Sequence, residues 1–212
     1  MESKQTDILI TGCSSQAQCH SHFFNKMNNI NHVGYVVDDE YRVETDISGI
    51  PIYTKTEIKD KFHIRSIKIF NSSGFRDRCK HRQREYEYYT NQGYELLTSI
   101  NHLIHRDCDQ HFGTGCFTSM TCGIDPNVTV GNNTYIAEYA KIGHNTSIGN
   151  NCFIGPDALV CGNCHIGDNV TIGARCTIRN NISISDYAVL GMCTTIMRNV
   201  AAKSTVIGNY VR

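Results

Sequence analysis

The sequence predicts a small α/β domain followed by a parallel β-helix, and two observations support this prediction. Residues 124–201 form thirteen consecutive six-residue repeats without a slip, each beginning with Ile, Val or Leu. Before them, apolar segments of strand length alternate with segments of helical character. A six-residue period is typical of a parallel β-helix, and alternation of strand with helix is typical of a parallel sheet built from βαβ units.

The repeats also predict how the β-helix is filled. The fifth position always holds a small or β-branched residue, as at Val128 and Cys152, and the last of these is Val200. Three repeats are expected to close one triangular coil, with the aliphatic first residue on the axis and the fifth residue in the corner. Residues three repeats apart then stack, so that stability comes from burial between neighbouring coils. Phe112 and Thr118 keep this phase, and the first coil is expected to begin near 106–112.

Residues 1–100 are predicted to hold the α/β domain and residues 101–212 the β-helix domain. The segment Gly49-Ile50-Pro51 is expected to turn into a short extended piece. The predicted strands are 7–12, 32–39, 66–70 and 94–100, and the predicted helices are 16–29, 55–62 and 75–92.

Composition argues against several classes of protein. Twenty Lys and Arg balance twenty Asp and Glu, so no basic field is expected to attract nucleic acid. No apolar run reaches the roughly 18 residues of a membrane-spanning helix, and the N-terminus lacks the pattern of a signal peptide. We therefore expect no partnership with nucleic acid or membrane, and a cytoplasmic location.

The cysteines are expected to be buried and reduced. Their number, eleven, is odd, which argues against a complete set of internal disulfides. Cys161-x-x-Cys164 followed by His165 could be read as half of a zinc site. The repeat, however, already places Cys161 in a strand and Cys164 inside the coil, so no metal is predicted.

Ligands of parallel α/β sheets bind beyond the carboxyl ends of the strands. Those ends carry Gly12, the pair Asp38 and Asp39, and Asn71. The first turn has one glycine where a dinucleotide site needs three, so a single nucleotide is the better fit. Backbone amides after Gly12 could meet a phosphate, and a carboxylate could accept from a ribose hydroxyl or a base N–H. An ordinary acidic turn is the alternative interpretation of Asp38 and Asp39.

His144 is the candidate catalytic residue of the β-helix. It stands at the third position of its repeat, which is expected to project outward from a corner, and an imidazole can take up a proton near neutral pH. Gly162 lies one coil further on, and its N–H could stabilise an oxyanion. A base and an oxyanion donor one coil apart suit acyl transfer, although a solvent-exposed turn histidine is the alternative.

With these motifs in view, the chain resembles the nucleotide-sugar acetyltransferases of the sialic-acid O-acetyltransferase type. This group includes the N-acetyltransferases of 4-amino-4,6-dideoxy sugars such as viosamine, perosamine and the bacillosamine precursor. The resemblance covers residues 7–212 and rests on the turn after the first strand, Asp38-Asp39, the IFNSSGFR segment at 69–76, the I-x-H repeat at 142–147 and the GNYVR tail. It implies a Rossmann-like nucleotide-binding domain, a left-handed β-helix and a homotrimer.

The resemblance also implies roles for particular residues. The catalytic set would be His144, Asn145 and Gly162, although the family commonly has Glu or Asp where Asn145 stands. Asn127, Asn163 and Asn181 occupy the same corner position, and asparagine suits left-handed backbone. The resemblance places nucleotide-sugar contacts at Gly12, Ser15, Gln16, Ala17, Asp38, Asp39 and Asn71, and acetyl-CoA contacts at Phe153, Gly173, Ala174, Gly191 and Met192.

The expected reaction is transfer of acetyl from acetyl-CoA to the amine of a nucleotide-linked 4-amino-4,6-dideoxy sugar, without a metal. His144 would act as the base and the Gly162 N–H would hold the oxyanion. A sugar O-acetyltransferase with the same site and a non-catalytic solenoid are the open alternatives. A zinc carbonic anhydrase on the same solenoid needs three histidines, whereas the thirteen repeats hold only His144 and His165.

Overall fold

The computed structural model describes residues 5–42, 44–100 and 109–208. The chain divides into two compact units. The first comprises Met1–Ser73 and Arg84–Leu97, and the second comprises Gly74–Gln83 and Thr98–Arg212. This division differs from a linear boundary near residue 100 by the segment Gly74–Gln83.

The first unit contains a six-stranded sheet with the strand order β3-β4-β2-β1-β5-β6. The strands are β1 Thr6–Thr11, β2 Ile30–Val37, β3 Asp46–Ile47, β4 Ile50–Thr54, β5 Lys68–Phe70 and β6 Glu95–Leu96. The helices are α1 Ser15–Phe24, α2 Lys55–Lys61 and α3 Lys80–Asn91, with a 3₁₀ helix at Asp39–Tyr41. Helix α3 continues into this unit from the second one.

The predicted parallel sheet is confirmed for all strands except β3. Strand β3 runs antiparallel to β4. Ser48 and Gly49 connect them with φ angles of 52° and 80°. Two successive residues with positive φ make a tight hairpin turn, which only antiparallel strands can share. The sheet is therefore mixed, and the turn predicted at Gly49 reverses the chain.

Capping side chains and backbone conformation explain where the three helices begin. Ser14 caps α1 by accepting from the Ala17 N–H, and Thr54 with Glu57 forms a reciprocal capping box on α2. The helix predicted over 75–92 begins only at Lys80. Residues 77–79 all have positive φ, which a right-handed helix excludes.

The core of the first unit lies between the sheet and its helices. It consists of apolar side chains from the strands, from α2 and from α3, all nearly inaccessible to water. One cluster of it consists of Leu9, Val36, Ile58, Ile67, Ile69, Tyr89, Tyr94 and Leu96. Other buried apolar residues of this unit include Ile8, Ile10, Phe24 and Phe70.

The second unit is a β-helix of two-residue strands in three parallel sheets. Its strands are β7 His111–Phe112, β8 Phe117–Thr118, β9 Gly123–Ile124, β10 Thr129–Val130, β11 Tyr135–Ile136, β12 Lys141–Ile142, β13 Ser147–Ile148, β14 Phe153–Ile154, β15 Leu159–Val160, β16 His165–Ile166, β17 Thr171–Ile172, β18 Thr177–Ile178, β19 Ser183–Ile184, β20 Val189–Leu190, β21 Thr195–Ile196 and β22 Thr205–Val206. Strands three repeats apart pair in register, as predicted, for example Thr129 with Ser147. Phe112 pairs with Val130, which confirms that the phase extends before residue 124.

The predicted filling of the coil is also confirmed. The first-position aliphatic residues are buried, including Ile136, Ile154 and Ile172, each fully inaccessible. The fifth positions are buried as well. Twelve fourth-position residues, one at each corner from Asn127 to Cys193, have φ between 55° and 61°. Asparagine tolerates this left-handed conformation well, which explains its frequency there.

The final repeat departs from the prediction. Val200 pairs with Ile184, sixteen residues earlier, and Thr205 pairs with Val189. Val200 therefore takes a first-position place on the sheet rather than the predicted fifth. The turn before it is shorter by two residues, and the Asn199 side chain accepts from the Ser183 N–H there.

The segment Gly74–Gln83 packs on one sheet of the β-helix. Arg82 is fully buried, and its Nε donates to the Asn133 carbonyl at 2.7 Å. Arg78 donates to the Tyr187 carbonyl at 2.7 Å. Phe75 packs on Phe153 with ring centroids 4.6 Å apart. The segment Gly74–Gln83 therefore covers one face of the β-helix.

The cysteines of the described residues are free, and most are buried. Cys152, Cys164 and Cys176 fill fifth positions, as predicted. Burial raises the pKa of Cys176 to about 12 and that of Cys122 to about 11. Such thiols stay protonated at neutral pH and behave as small apolar side chains.

Within the described ranges, no helix has both the length and the apolar character that crossing a bilayer requires. The predictions for 101–108 and for the last four residues of the GNYVR tail lie outside the described residues.

Candidate active site

His144 stands at an exposed corner directly after strand β12. The corner is compact because Gly143 lies against the next coil: a Cβ on Gly143 would lie 2.5 Å from the Gly162 nitrogen. The Asn163 N–H donates to the His144 carbonyl at 2.8 Å, which ties the two coils together at this point. The outward position predicted for His144 is confirmed.

The imidazole of His144 lies against Gly162. A Cβ on Gly162 would lie 2.7 Å from Nε2 and 2.8 Å from Cε1 of the ring. No side chain larger than hydrogen fits there while the ring keeps its place. The predicted stacking of these two residues is thus confirmed.

The Gly162 N–H makes no hydrogen bond with any other residue in the described part of the chain. A backbone N–H beside an imidazole is the kind of donor that stabilises the oxyanion of acyl transfer. The arrangement therefore brings an imidazole ring and a backbone N–H without a partner among the described residues to one corner, and their catalytic roles stay predictions.

Asn145 belongs to a ladder of side-chain amides that runs along this corner. Asn127 Nδ2 donates to Asn145 Oδ1 at 3.0 Å, and Asn145 Nδ2 donates to Asn163 Oδ1 at 3.1 Å. The same Asn145 Nδ2 lies 3.1 Å from His144 Nδ1. The ladder expected from the repeat thus also contacts the candidate catalytic ring.

A second imidazole, that of His165, lies on the next sheet, and no role was predicted for it. Ser147 Oγ lies 2.7 Å from His165 Nδ1 across neighbouring strands β13 and β16. Ser147 follows His144 by three residues, and His165 follows Gly162 by three residues in the next coil. The signal in the sequence was their separation by three repeats, which places them side by side.

The residues predicted to contact acetyl-CoA gather at a different corner. A Cβ on Gly173 would lie 2.6 Å from the Met192 nitrogen, so Gly173 lies closely under the next coil. Met192 is 73% exposed, and Ala174 is half-buried. A Cβ on Gly173 would also lie 2.7 Å from the carbonyl carbon of Gly191, so these two glycines are stacked. This edge of the coil therefore carries no side chain at the two glycines and is followed by the exposed side chain of Met192.

Phe153 lies on the strand that enters this second corner, but its ring is buried. It stacks on Tyr135 at a centroid distance of 5.4 Å and packs under Phe75. Tyr135 stacks in turn on Phe117 at 4.8 Å. Contact between Phe153 and CoA stays a prediction, and in this chain the ring serves the packing of Gly74–Gln83.

In the first unit, an open pocket of about 470 Å³ lies beside the carboxyl ends of β1 and β2 and the β3–β4 hairpin. This is the place where α/β sheets bind ligands. None of the seven predicted substrate contacts lines it directly, although Gly12 precedes one of its residues. The lining residues are Cys13, Gln18, Tyr41, Glu44, Asp46, Ile47, Ser48 and Ile52.

Asp38 and Asp39 both have partners within the first unit. Asp38 pairs with Lys55 at 2.6 Å. Glu85 also pairs with this ammonium group, at 2.7 Å. Burial alone would lower the pKa of Lys55, but hydrogen bonds to the two carboxylates outweigh it and raise the pKa. This ion-paired arrangement favours a structural role for Asp38.

Asp39 accepts from the N–H and the hydroxyl of Thr56 at 3.2 and 3.0 Å. Hydrogen bonds from Thr54, first, and from the Thr56 N–H lower the pKa of the Asp39 carboxyl. Asp39 is thus a carboxylate that helps to hold the start of α2. A ligand contact here stays a prediction.

The remaining predicted contacts lie at the first turn of α1 and the end of β5. Gly12 has a φ of 72°, and Ser15, Gln16 and Ala17 open α1. The Ala17 N–H already donates to Ser14 and the Gly12 N–H to the Val36 carbonyl, so the predicted phosphate contact would fall to the amides between them. Asn71 is buried, and its Oδ1 accepts from the Ser73 N–H at 3.0 Å.

In the residues that the structure describes, no three His, Cys, Asp or Glu side chains lie together as a metal-ion site. Cys161 is half-buried directly after β15, and Cys164 is buried inside the coil. The metal-free reaction stays a prediction.

Comparison with known proteins places the chain among hexapeptide-repeat folds. Residues 145–180 match the family described as bacterial transferase hexapeptide (six repeats), and residues 164–198 match the hexapeptide repeat of succinyl-transferase. Neither match extends to half of the chain. The comparison with curated protein sequences gives no match.

Several solved structures share the fold along nearly the whole chain. The acetyltransferase domain of PglB from Neisseria gonorrhoeae is 17% identical, with a TM-score of 0.81, over 97% of this chain and 98% of that one. WeeI from Acinetobacter baumannii is 18% identical, with a TM-score of 0.82, over 98% and 99%.

A third structure is that of a mutant perosamine N-acetyltransferase from Caulobacter crescentus, in complex with CoA and GDP-perosamine. It is 16% identical, with a TM-score of 0.82, over 95% of this chain and 93% of that one. At these identities the likeness establishes the fold. Together with the three parallel sheets, it supports the left-handed β-helix that the resemblance implied.

Proposed function

We propose that the chain transfers an acetyl group from acetyl-CoA to the amine of a nucleotide-linked 4-amino-4,6-dideoxy sugar. The contact between the His144 ring and Gly162 is the observation that carries this proposal. It supplies a base and an oxyanion donor at one corner of a β-helix. Structures of the same fold include an N-acetyltransferase with CoA and GDP-perosamine bound.

In the proposed reaction, the amine nitrogen attacks the thioester carbonyl carbon. His144 takes the proton that the nitrogen loses, and the Gly162 N–H donates to the oxygen that becomes negative. Collapse of the tetrahedral intermediate breaks the carbon–sulfur bond. CoA leaves as its thiolate and takes up a proton, and the sugar keeps the acetyl group as an amide.

The nucleotide of the acceptor is assigned to the first unit. The pocket beside the ends of β1 and β2 is large enough for part of such a ligand. The first turn of α1 offers backbone amides for a phosphate. GDP, UDP and dTDP are all compatible with these features, and the thiol-release assay described below distinguishes them.

We also propose that the chain acts as a homotrimer, which the resemblance implies and which the positions of two corners support. The His144 corner follows strand β12, whereas the corner with Gly173 and Met192 follows strand β17. These are different edges of the triangular coil. In a closed trimer that packs these two edges of neighbouring copies together, a CoA bound along the second edge of one copy would meet the His144 edge of the next, and each site would need two copies. A monomer in light scattering at micromolar concentration would contradict this assembly.

Two alternatives have specific support. O-acetylation of a sugar would use the same base and oxyanion donor, so the corner geometry fits it equally. A non-catalytic solenoid is favoured by Asn145, because its amide cannot stabilise an imidazolium as a carboxylate does.

A thiol-release assay tests the proposal. Acetyl-CoA is offered with UDP-, dTDP- and GDP-linked sugars that bear a 4-amino, a 3-amino or only hydroxyl groups. Free CoA with a 4-amino sugar alone supports the proposal and identifies the nucleotide. Release with hydroxyl acceptors alone moves the function to O-acetylation. Silence together with no CoA binding in calorimetry supports the non-catalytic solenoid.

A further inference from the structure

The amide ladder fixes how Asn145 faces His144. Asn145 Oδ1 faces Asn127, while Asn145 Nδ2 faces both Asn163 and the His144 ring. The two hydrogens of Nδ2 serve these two acceptors. Whichever atom of the Asn145 amide faces Asn163, the oxygen or the nitrogen, therefore also faces the His144 ring.

This arrangement determines where a neutral imidazole carries its proton. A donor at Nδ1 requires a lone pair on Nδ1, so the ring proton lies on Nε2. Nε2 lies beside Gly162. In this sense of the ladder, the nitrogen next to the oxyanion donor carries a hydrogen and cannot accept one.

The ladder can also run in the opposite sense. If all three amides turn together, Asn145 Oδ1 faces Asn163 and His144 and accepts from both. The ring then carries its proton on Nδ1, and Nε2 is free to act as a base. The imidazolium that forms during the reaction also requires this sense, because it donates from both nitrogens.

We propose that Asn127 and Asn163 are positioning residues that act through Asn145 to select the tautomer of His144. The amides of the two neighbouring coils thereby set whether Nε2 accepts or donates. The consequence for the reaction rate rests on the function proposed above, whereas the tautomer itself does not. The amide ladder thus takes the place of a single orienting side chain.

Two matched substitutions separate the two senses, since a carboxylate only accepts. Asn163→Asp holds Asn145 Nδ2 toward residue 163 and the ring, which keeps the proton of His144 on Nε2. Asn127→Asp draws Nδ2 the other way and turns Oδ1 to the ring, which moves the proton to Nδ1. Aspartate fits these corners, because Asp157 has the same conformation with a φ of 55°.

The primary measurement is ¹⁵N NMR of the intact protein labelled at histidine, at a pH where His144 is neutral. The chain has ten histidines, and the signal of His144 is identified by its loss in His144→Gln. We expect more Nε2–H in Asn163→Asp and more Nδ1–H in Asn127→Asp. The same tautomer in both variants would overturn the proposal.

The turnover number gives a second readout that needs no NMR assignment. The turnover number of Asn127→Asp is expected to exceed that of Asn163→Asp by about tenfold. One hydrogen bond favours the Nδ1–H tautomer in the first variant, whereas in the second a larger fraction of the molecules lacks a free Nε2 as the base. Simple proximity of charge predicts the reverse, because residue 163 adjoins the glycine under the ring. That reverse order would also overturn the proposal.

Asn151→Asp is the control. Asn151 accepts from Asn133 in a ladder at a corner without a histidine, so the added charge should leave both readouts unchanged. If the tautomers shift as expected but no variant turns over any acceptor, the ladder stands and the proposed function fails. If turnover is normal but the tautomers coincide, the function stands and the ladder proposal fails.

Discussion

The ring of His144 lies so close to Gly162 that a methyl group on that glycine would lie 2.7 Å from Nε2. Two residues three repeats apart are therefore fitted to each other. Gly162 is the predicted oxyanion donor. Its lack of a side chain also makes room for the imidazole of His144, so the proposed function depends on this glycine in two ways.

Substituting Gly162 tests this fit. Gly162→Ala is expected to displace the imidazole, because the added methyl group and the ring cannot occupy the same space. Turnover should fall by about 10²-fold, the effect of misplacing a reacting group by roughly 1 Å. Steady-state kinetics with acetyl-CoA and the acceptor found in the thiol-release assay would measure it.

Gly123→Ala is the matched control for this substitution. A Cβ on Gly123 would meet only the Lys141 side chain, at an ordinary contact distance of 3.8 Å. It adds the same methyl group to a strand of the same β-helix without touching His144. Equal losses of turnover in both variants would mean that the effect is general and not due to the His144 contact.

Removing the imidazole tests the base directly. His144→Ala is expected to lower turnover by about 10²–10⁴-fold, the usual contribution of a general base. CoA affinity in calorimetry should not change, since the predicted CoA residues lie at another corner. Unchanged turnover would remove His144 from the mechanism.

Asn145→Asp tests whether the amide limits the base. An aspartate would accept from Nδ1–H of His144 and stabilise the imidazolium, so the rate at neutral pH should rise. The pH dependence of turnover should shift with it, because a carboxylate favours the protonated ring. A loss of turnover would indicate that Asn145 is needed as a donor within its ladder.

The stability of the first unit is expected to fall in mild acid because of His32. This ring is buried, Nε2 lies 3.0 Å from the Gly34 carbonyl and Nδ1 lies 2.8 Å from Ser21 Oγ. Burial lowers the pKa of His32 from 6.5 to about 4, against the effect of the hydrogen bond to Gly34.

Between these two pKa values, the unfolded chain takes up a proton that the folded chain does not. Stability is therefore unaffected above pH 6.5 and decreases as the pH falls toward 4. The loss between pH 7 and pH 5 should be about 2 kcal/mol. Urea unfolding followed by helical circular dichroism reports the first unit, since the described helices lie wholly or largely in it. His32→Gln should flatten the dependence, and an equal slope in that variant would contradict the assignment.

Much of the first unit was predictable because its elements follow local patterns. Apolar runs marked the strands, and capping residues such as Ser14 and Thr54 marked the helix starts. The hairpin strand β3 was missed because two residues carry no periodicity. The late start of α3 was missed because three successive residues, 77–79, have left-handed backbone, and Arg78 and Cys79 are of types that rarely adopt it.

The candidate site was predictable to a different extent in each unit. The stacking of His144 on Gly162 follows from the repeat alone, since a constant period fixes which residues are neighbours. In the first unit, none of the predicted contacts lines the pocket beside the ends of β1 and β2. Asp38 and Asp39 turned out to be engaged by Lys55 and Thr56, which lie far from them in sequence.

The sequence by itself determined the coil: its period, its buried positions, its left-handed corners and the vertical neighbours of each residue. It could do so because each of these depends only on position within a repeat. Tertiary structure alone decided that Gly74–Gln83 covers one sheet, that the last repeat is short and that the amide of Asn145 contacts the ring of His144. These features depend on contacts between groups such as Arg82 and Asn133, which no local pattern relates, and on the hydrogen-bond balance of a whole ladder.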